Sequence, residues 1–481
     1  MKDHDLREDG RRKFTALLEI EHDEKEEDGW VIFDCFSRSA PRGYRHLGNE
    51  FDLLALRAPL TSVAQRYPGI LESDGRWVEI DVSSRKSPNS ISADVVMFGD
   101  NAETVSLHID NVSSVELSDQ ENDIFTLAGE MRSPASFIAG VLDIALRKSG
   151  TLAVAAYDVG QGNCNAIVDR YEHPRVFFDL GWPPNFHAHT RPPCQPAFFS
   201  CDPRTVAPVV LSHWDMDHWC YAIARSQYNP ANLTTTHQWN KDALKRFWIA
   251  RAPQMTQHNI GPLARSFYDA LKNQHLLPGV SAMLLWPDKC QRIGFSDGWL
   301  EACEPSGGQK GDRNNTGLAM FVRPQGKGPA ILMTGDADFP SIPSLTSNKR
   351  LKLAGMVAPH HGSTITLNSV PKPMKGSPKK LVLSVGKGNS YYHPRQESID
   401  EYQKPGWDWT VVLTQDPHEC HSHGRAHMHG NTLLKFSINA ADPQCGCGIV
   451  QEGNLCLIPS HAPVIAPIAP TRRKDEKNTI T

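Results

Sequence analysis

Four potential metal ligands, His213, Asp215, Asp217 and His218, fall within six residues of the segment Ser212-His213-Trp214-Asp215-Met216-Asp217-His218-Trp219, directly after the apolar run Val209–Leu211. On a turn leading into a helix, side chains this close together can converge on one or two cations. Imidazole nitrogen with carboxylate oxygen suits Zn, Mn or Fe better than it suits a soft thiolate metal. Asp336 closes the run Ala330-Ile331-Leu332-Met333-Thr334-Gly335, and His360-His361-Gly362-Ser363 follow Met356–Ala358 and Pro359. Asp179-Leu180-Gly181 ends an earlier apolar run. A carboxylate in the position of Asp336 can bridge two cations. Such ions make a bound water reactive near neutral pH and polarise a scissile phosphoryl or carbonyl oxygen. Asp217 is expected both to ligate and to orient that water. His393, in Tyr391-Tyr392-His393-Pro394, is expected to hydrogen-bond a phosphate oxygen or protonate a leaving group. The competing reading is a surface cluster of His and Asp that holds no ion.

Elements that place these residues are visible as short apolar runs, each ending in His, Asp or Gly. Leu152–Ala156, Val176–Phe178, Val209–Leu211, Ile331–Met333, Met356–Ala358, Leu381–Leu383 and Val411–Leu413 all have this form. Continuous apolar runs of that length mark strands buried on both faces, so their polar ends are expected to gather on one edge of a sandwich. Residues 1–135 differ. Their alternating segments, such as Trp77–Val82 and Val105–Ile109, predict a β-rich N-terminal domain with no catalytic motif. Ser133-Pro134 and Gly150 bracket a helical pattern, giving a linking helix over 136–150. The main domain is expected over 151–440, with an insertion around 235–300 that either shapes substrate access or is an embellishment. That insertion carries a helical stretch Pro262–Leu276. Residues 441–481 form a C-terminal extension.

Taken together, the motifs Asp158-Val159-Gly160-Gln161-Gly162-Asn163, Phe178-Asp179-Leu180-Gly181, His213–His218, Thr334-Gly335-Asp336-Ala337, Pro359-His360-His361-Gly362-Ser363 and Tyr392-His393-Pro394 resemble the metallo-β-lactamase fold hydrolases. The branch they are most similar to is the soluble nuclease-like domain of the ComEC competence proteins. The resemblance spans roughly Leu152 to Ile438, about 60% of the chain. It implies an α/β architecture, an αββα sandwich with the metal centre on one edge. It places His213, Asp215, Asp217, His218, Asp336 and His361 at metal positions and Asp179 in support of the ligand loop. His360 is the alternative to its neighbour His361. Many members have His where this chain has Asp215, and another His where it reads Asn314-Asn315-Thr316. That departure favours a weak, oxygen-rich position suited to Mn or Mg beside one suited to Zn. One ion or two remain equally open at this stage.

Charge bears on the substrate. The chain carries 50 Lys+Arg against 54 Asp+Glu, a net charge of −4, so it lacks a global nucleic-acid footprint. Between Phe339 and Gln396, however, nine basic residues stand with no Asp or Glu: Lys349, Arg350, Lys352, Lys372, Lys375, Lys379, Lys380, Lys387 and Arg395. Either this is a lysine-rich solvated surface or it is a local phosphate-binding field, with Lys387, Asn389 and Ser363 as the expected contacts. The expected function is a metal-dependent phosphodiester hydrolase, most simply a nuclease with nucleic acid as substrate. Alternatives are a small-molecule metallohydrolase acting on cyclic nucleotides or other esters, and a binding module without turnover. A regulatory protein partner would suit a free nuclease. No apolar stretch is long enough to span a membrane, and the odd count of eleven cysteines suits a reduced cytoplasmic setting. The His/Cys-rich segment 417–430 reads as a hairpin loop that either binds Zn or is unstructured.

Overall fold

The computed structural model describes residues 10–22, 29–37, 51–99, 104–147, 149–150, 152–192, 198–199, 206–253, 259–305, 313–347, 351–407, 411–414, 418–420 and 427–439. It is a mixed α/β protein containing several β-sheets. Two seven-stranded sheets pack face to face. The first runs in the order 283–285, 248–250, 209–210, 174–180, 164–168, 153–156, 432–434. The second runs 292–295, 298–302, 318–322, 330–333, 353–357, 380–383, 411–413. Each is antiparallel at one end and parallel at the other, where short buried strands enter loops on a common edge.

Alternation along each strand divides its side chains between two cores. Val154, Ile167, Phe178, Val210 and Ile249 of the first sheet meet Leu318, Met320, Ile331, Met333 and Val382 of the second. The opposite face of the second sheet, with Phe321, Leu332, Met356 and Leu381, is covered by Phe339, Tyr402 and Trp407. Burial on both faces is what makes these strands continuously apolar; each such side chain contributes roughly 1.5–3 kcal/mol when withdrawn from water.

Helix Ala135–Leu146, expected as a link, buries Ile138, Leu142 and Leu146 in the core between the sheets. Segment 235–300, expected as an insertion, is built into the sandwich instead. It supplies Trp248–Ala250 and Met283–Leu285 to the first sheet and Arg292–Phe295 to the second. The physical reason is that strands of three or four residues are too short to show a period. Its helix runs Pro262–Lys272, and a small hairpin follows where the helix was expected to continue. Phe267 on this helix stacks on Trp219 at 4.8 Å and meets Trp248 edge-on, which fixes the turn that follows the ligand segment.

The N-terminal strands Arg11–His22, Gly29–Phe36, Leu53–Pro59, Trp77–Ser83, Ile91–Val95 and Ser106–Ser114 close into a barrel, sealed by the pairs Leu56↔Val95 and Arg57↔Asp94. Phe14, Ala16, Leu18, Val31, Phe33 and Cys35 fill its interior. Leu17, Phe36 and Trp77 join the core on the outer face of the first sheet. A hairpin from the later chain, Ile223–Asn229 with Thr234–Trp239, extends the barrel sheet through Thr235↔Leu53. Asp34 of the barrel accepts from the Leu263 backbone N–H, 3.2 Å away, at the start of helix Pro262–Lys272. The barrel is thereby tied to the sandwich by sheet pairing, a shared core and a helix-end contact.

Candidate metal centre

Loops leaving the strands at 153–156, 174–180, 209–210, 330–333, 353–357 and 380–383 meet on one edge and bring together residues far apart in sequence. His213, His218 and Asp336 form one group of converging ligand atoms, and Asp217, His218 and His361 form a second. His218 Nε2 lies 3.1 Å from Asp336 Oδ1 and 3.7 Å from Asp217 Oδ1. His361 Nε2 is 3.0 Å from Asp217 Oδ2 and 4.0 Å from Asp336 Oδ1. His213 Nε2 is 3.2 Å from Asp215 Oδ2 and 3.8 Å from Asp336 Oδ2. His360 Nε2 approaches the same Asp336 oxygen at 3.7 Å but is 39% exposed, against 3% for His361. Asp336 thus turns one oxygen toward each half of the cluster.

Two features test whether a cation fits. Bonds of about 2.0–2.1 Å to one ion put neighbouring ligand atoms roughly 3.0–3.4 Å apart, and the closest His–Asp separations are of that size. His213 Nε2, His218 Nε2 and Asp336 Oδ1 are also buried without a hydrogen-bond partner among the described residues, a costly state that an ion relieves. The opposite nitrogens are committed. His218 Nδ1 donates to Asp179 Oδ2 at 2.9 Å, and His361 Nδ1 donates to the Ser384 carbonyl at 2.7 Å. That arrangement turns each Nε2 toward the cluster, where His218 Nε2 has no hydrogen bond and His361 Nε2 is bonded to Asp217 Oδ2 at 3.0 Å. Asp179 itself accepts from Ser212 N–H (2.7 Å), Ser212 Oγ (2.9 Å) and Asn163 Nδ2 (3.0 Å).

The backbone is bent to make this possible. Asp179, His360 and His361 all take positive φ, the strained region for residues with a side chain. At Gly181 a Cβ would stand 1.8 Å from the Asp217 carbonyl oxygen, so only glycine lets the ligand loop close there. Electrostatics follow from burial of many carboxylates. For Asp217 and Asp336 burial opposes ionisation, but His218 and its fellow imidazoles outweigh it and hold both acids below the usual carboxylate range. Burial likewise opposes charge on His218, yet Asp336, Asp179 and Asp217 raise its proton affinity. Asp215 is also held low against burial, first by Arg313 and then by His213. Arg313 Nη1 lies 3.4 Å from Asp215 Oδ1 and 2.6 Å from Glu19 Oε1 of the barrel.

A cavity of about 520 Å³ opens beside the cluster, walled by Asp217, Asp336 and His361 on one side and by Glu19, Ile20, Glu21 and Asp74 of the barrel on the other. Of the residues expected to meet substrate, Ser363 and His393 line it, and Lys387 and Asn389 do not. Lys387 is exposed, and the Asn389 side chain is used within its own loop, donating to the carbonyls of Gly386 and His393 and accepting from the Tyr391 and His393 backbone. For an amide flanked by its own turn those bonds are nearer than any substrate. His393 is kept neutral by burial and by His360 and His361, so it suits hydrogen bonding and not proton donation from an imidazolium. The expected basic field is dispersed. Lys352, Lys372 and Lys375 are exposed, Lys380 donates to the Leu433 carbonyl, and of the window only Arg395 reaches the cavity; Lys349 and Arg350 lie outside the described residues.

Several site residues were not marked by the sequence reading. Arg313 directly precedes the Asn314-Asn315 segment and could have been found from it. His187, in Asn185-Phe186-His187-Ala188-His189, had only its type as a signal. Glu19 and Glu21 had none, because in an alternating strand they look like a solvated face.

Segment 417–430 contains a hairpin, His418–Cys420 paired antiparallel with His427–His429; residues 421–426 and the extension from 440 onward lie outside the described residues. Among the described residues no helix is long and apolar enough to cross a membrane. No protein-family model matches the chain, and no curated protein matches it.

Proposed function

We propose that this chain is a metal-dependent hydrolase of phosphodiester bonds with a metallo-β-lactamase-type αββα sandwich, acting on nucleic acid. The observation that carries the reading is the convergence of three histidine Nε2 atoms on Asp336 and Asp217, with His218 and His361 each anchored through Nδ1. A divalent ion held there supplies Lewis acidity toward a phosphoryl oxygen and lowers the pKa of water. Asp336, presenting one oxygen to each half of the cluster, would be shared between the two halves if each took an ion of Zn or Mn type, and Mg would suit the oxygen-rich half at Asp215. Asp217, on the cavity wall, orients the attacking water. His393 donates a hydrogen bond to the phosphate, and Ser363 lies on the same wall.

A small-molecule diester is the second reading, favoured by a cavity of small-molecule size with barrel carboxylates on its wall. The test is metal analysis of protein purified without chelator, paired with hydrolysis of a nucleic acid and of methyl p-nitrophenyl phosphate across Mn, Zn and Mg. Asp217→Ala and His218→Ala are expected to lose bound metal and all turnover while retaining the fold. Parent-like cleavage by either variant would remove the site assignment.

A further inference from the structure

The cavity extends past the metal cluster into a region the hydrolytic reading leaves without a role. Going outward from His361, its ring stacks toward His393 at 6.5 Å, His393 is 5.7 Å from Tyr391, and Tyr391 is 5.0 Å from His187. The Tyr391 hydroxyl donates to Glu21 Oε1 at 2.5 Å, and Arg57 of the barrel reaches Glu21 at 3.5 Å and Ser390 Oγ at 3.0 Å. His187 is 2% exposed, lines the cavity and has neither ring nitrogen hydrogen-bonded among the described residues; His393 Nδ1 is likewise buried and unpartnered. A buried imidazole with both nitrogens unmet is a site waiting for a hydrogen-bonding ligand.

The chemistry of that ligand can be read from the walls. Burial, then Arg57, keeps His187 neutral with a pKa lowered to about 3, so it offers one donor and one acceptor and no charge. Arg57 is matched by Glu21, and Arg313 by Glu19 and Asp215, which leaves the barrel side without spare positive charge for a second phosphate. Ile32 and Phe186 add apolar surface beside the imidazole and phenol rings. Flat rings, neutral donors and acceptors, and carboxylates able to accept from hydroxyl or amino groups together fit a heteroaromatic base with its sugar. The volume of about 520 Å³ falls within the small-molecule range of roughly 300–1,000 Å³.

We propose that the space between the metal cluster and the barrel is a nucleoside subsite, in which His187, Tyr391, His393 and Glu21 hold the base and sugar adjoining one scissile phosphodiester. The substrates are then strand ends, short oligonucleotides or dinucleotides, and the barrel is the element that sets this limit. The inference rests on the phosphodiester reading above.

Calorimetry on the full chain with Mn tests it, with adenosine and guanosine 5′-monophosphate as probes and inorganic phosphate as the reference. The nucleotides are expected to bind at least tenfold tighter than phosphate, and His187→Ala to erase that preference. Ile32→Trp, which fills the subsite from the barrel strand, is expected to do the same while metal affinity stays at the parent value, which guards against a folding defect at position 187. In turnover, the kcat/KM ratio of a dinucleoside monophosphate over methyl p-nitrophenyl phosphate is expected to drop at least tenfold in both variants. Equal binding of phosphate and nucleotide, or closed circular plasmid cut as readily as the dinucleotide, would overturn the subsite and leave the metal centre standing. No hydrolysis of methyl p-nitrophenyl phosphate with any of the three cations would instead overturn the phosphodiester reading itself.

Discussion

Asp179→Asn is the most exacting test of how the cluster is held, because it alters one atom type without touching a ligand. Both Asp179 oxygens only accept: Oδ1 from the Ser212 backbone, Oδ2 from Ser212 Oγ, Asn163 Nδ2 and His218 Nδ1. An amide must put an NH2 group at one of these places. On the Oδ1 side it meets the Ser212 N–H at 2.7 Å, donor against donor. On the Oδ2 side it faces Asn163 Nδ2 at 3.0 Å and His218 Nδ1 at 2.9 Å, and the conflict with His218 is relieved when the imidazole proton moves to Nε2. That tautomer points a proton at Asp336 and closes His218 to a cation. Loss of such a supporting contact weakens metal binding by about 10–100-fold, or ~1.4–2.7 kcal/mol. At a metal concentration 100 times the parent Kd, ligand linkage stabilises the parent by about 2.7 kcal/mol; a variant bound 100-fold more weakly gains only about 0.4 kcal/mol. Calorimetric titration with Zn and Mn, together with the metal-dependent rise in Tm, measures both quantities. A Kd within twofold of the parent would refute the argument that Asp179 sets the His218 tautomer.

Gly181→Ala places a Cβ where the Asp217 carbonyl oxygen now stands 1.8 Å away, so the ligand loop must shift by about 1 Å or more; turnover is expected to fall roughly 100-fold with weaker metal binding, as read by steady-state kinetics and metal titration. His237, which contacts Ser226 Oγ and Thr235 Oγ1, has its pKa lowered by burial from 6.5 to about 4. Since folding favours its neutral form, its contribution is complete above pH 6.5 and is lost as pH falls toward 4, at most about 3 kcal/mol given partial exposure. Urea unfolding of the parent and of His237→Asn across that window checks this, with the parent expected to show the steeper acid loss.

Much of the cluster was legible because its ligands are contiguous with the runs that carry them. Val209–Leu211 leads into His213, Ile331–Met333 into Asp336 and Met356–Ala358 into His361, and burial of both sheets on both faces made those runs conspicuous. Which of two adjacent histidines faces the ions was not legible. His360 and His361 both have positive φ, and only the path of that strained turn brings His361 Nε2 to Asp217. The barrel's share of the site was hidden for a different reason. Glu19 and Glu21 alternate with apolar residues along Arg11–His22, the ordinary signature of a solvated face, while their partners Arg313 and Tyr391 lie 294 and 370 residues away. Nothing local in a strand announces a contact at that distance. The strands Trp248–Ala250 and Met283–Leu285 escaped notice because three residues do not make a period.

Charge balance gives an independent reason to place cations in the cluster. Asp179, Asp215, Asp217 and Asp336 share one buried edge, and such charges are stable only when compensated. Arg313 compensates Asp215, but Glu19 divides its charge, so the protein supplies no fixed cation to Asp217 or Asp336. Compensation must come from protons on the imidazoles or from metal ions. One contact is of the protonated kind, His361 Nε2 to Asp217 Oδ2 at 3.0 Å, whereas His218 Nε2 and Asp336 Oδ1 approach to 3.1 Å and neither makes a hydrogen bond. An ion held between those two atoms would account for the approach and the missing bond. The barrel's acidic wall is compensated within the protein: Glu19 pairs with Arg313 and Glu21 with Arg57, and burial raises the proton affinity of both acids. The charge that the protein leaves unmatched therefore lies at Asp217 and Asp336, where the histidines converge, and not on the barrel wall.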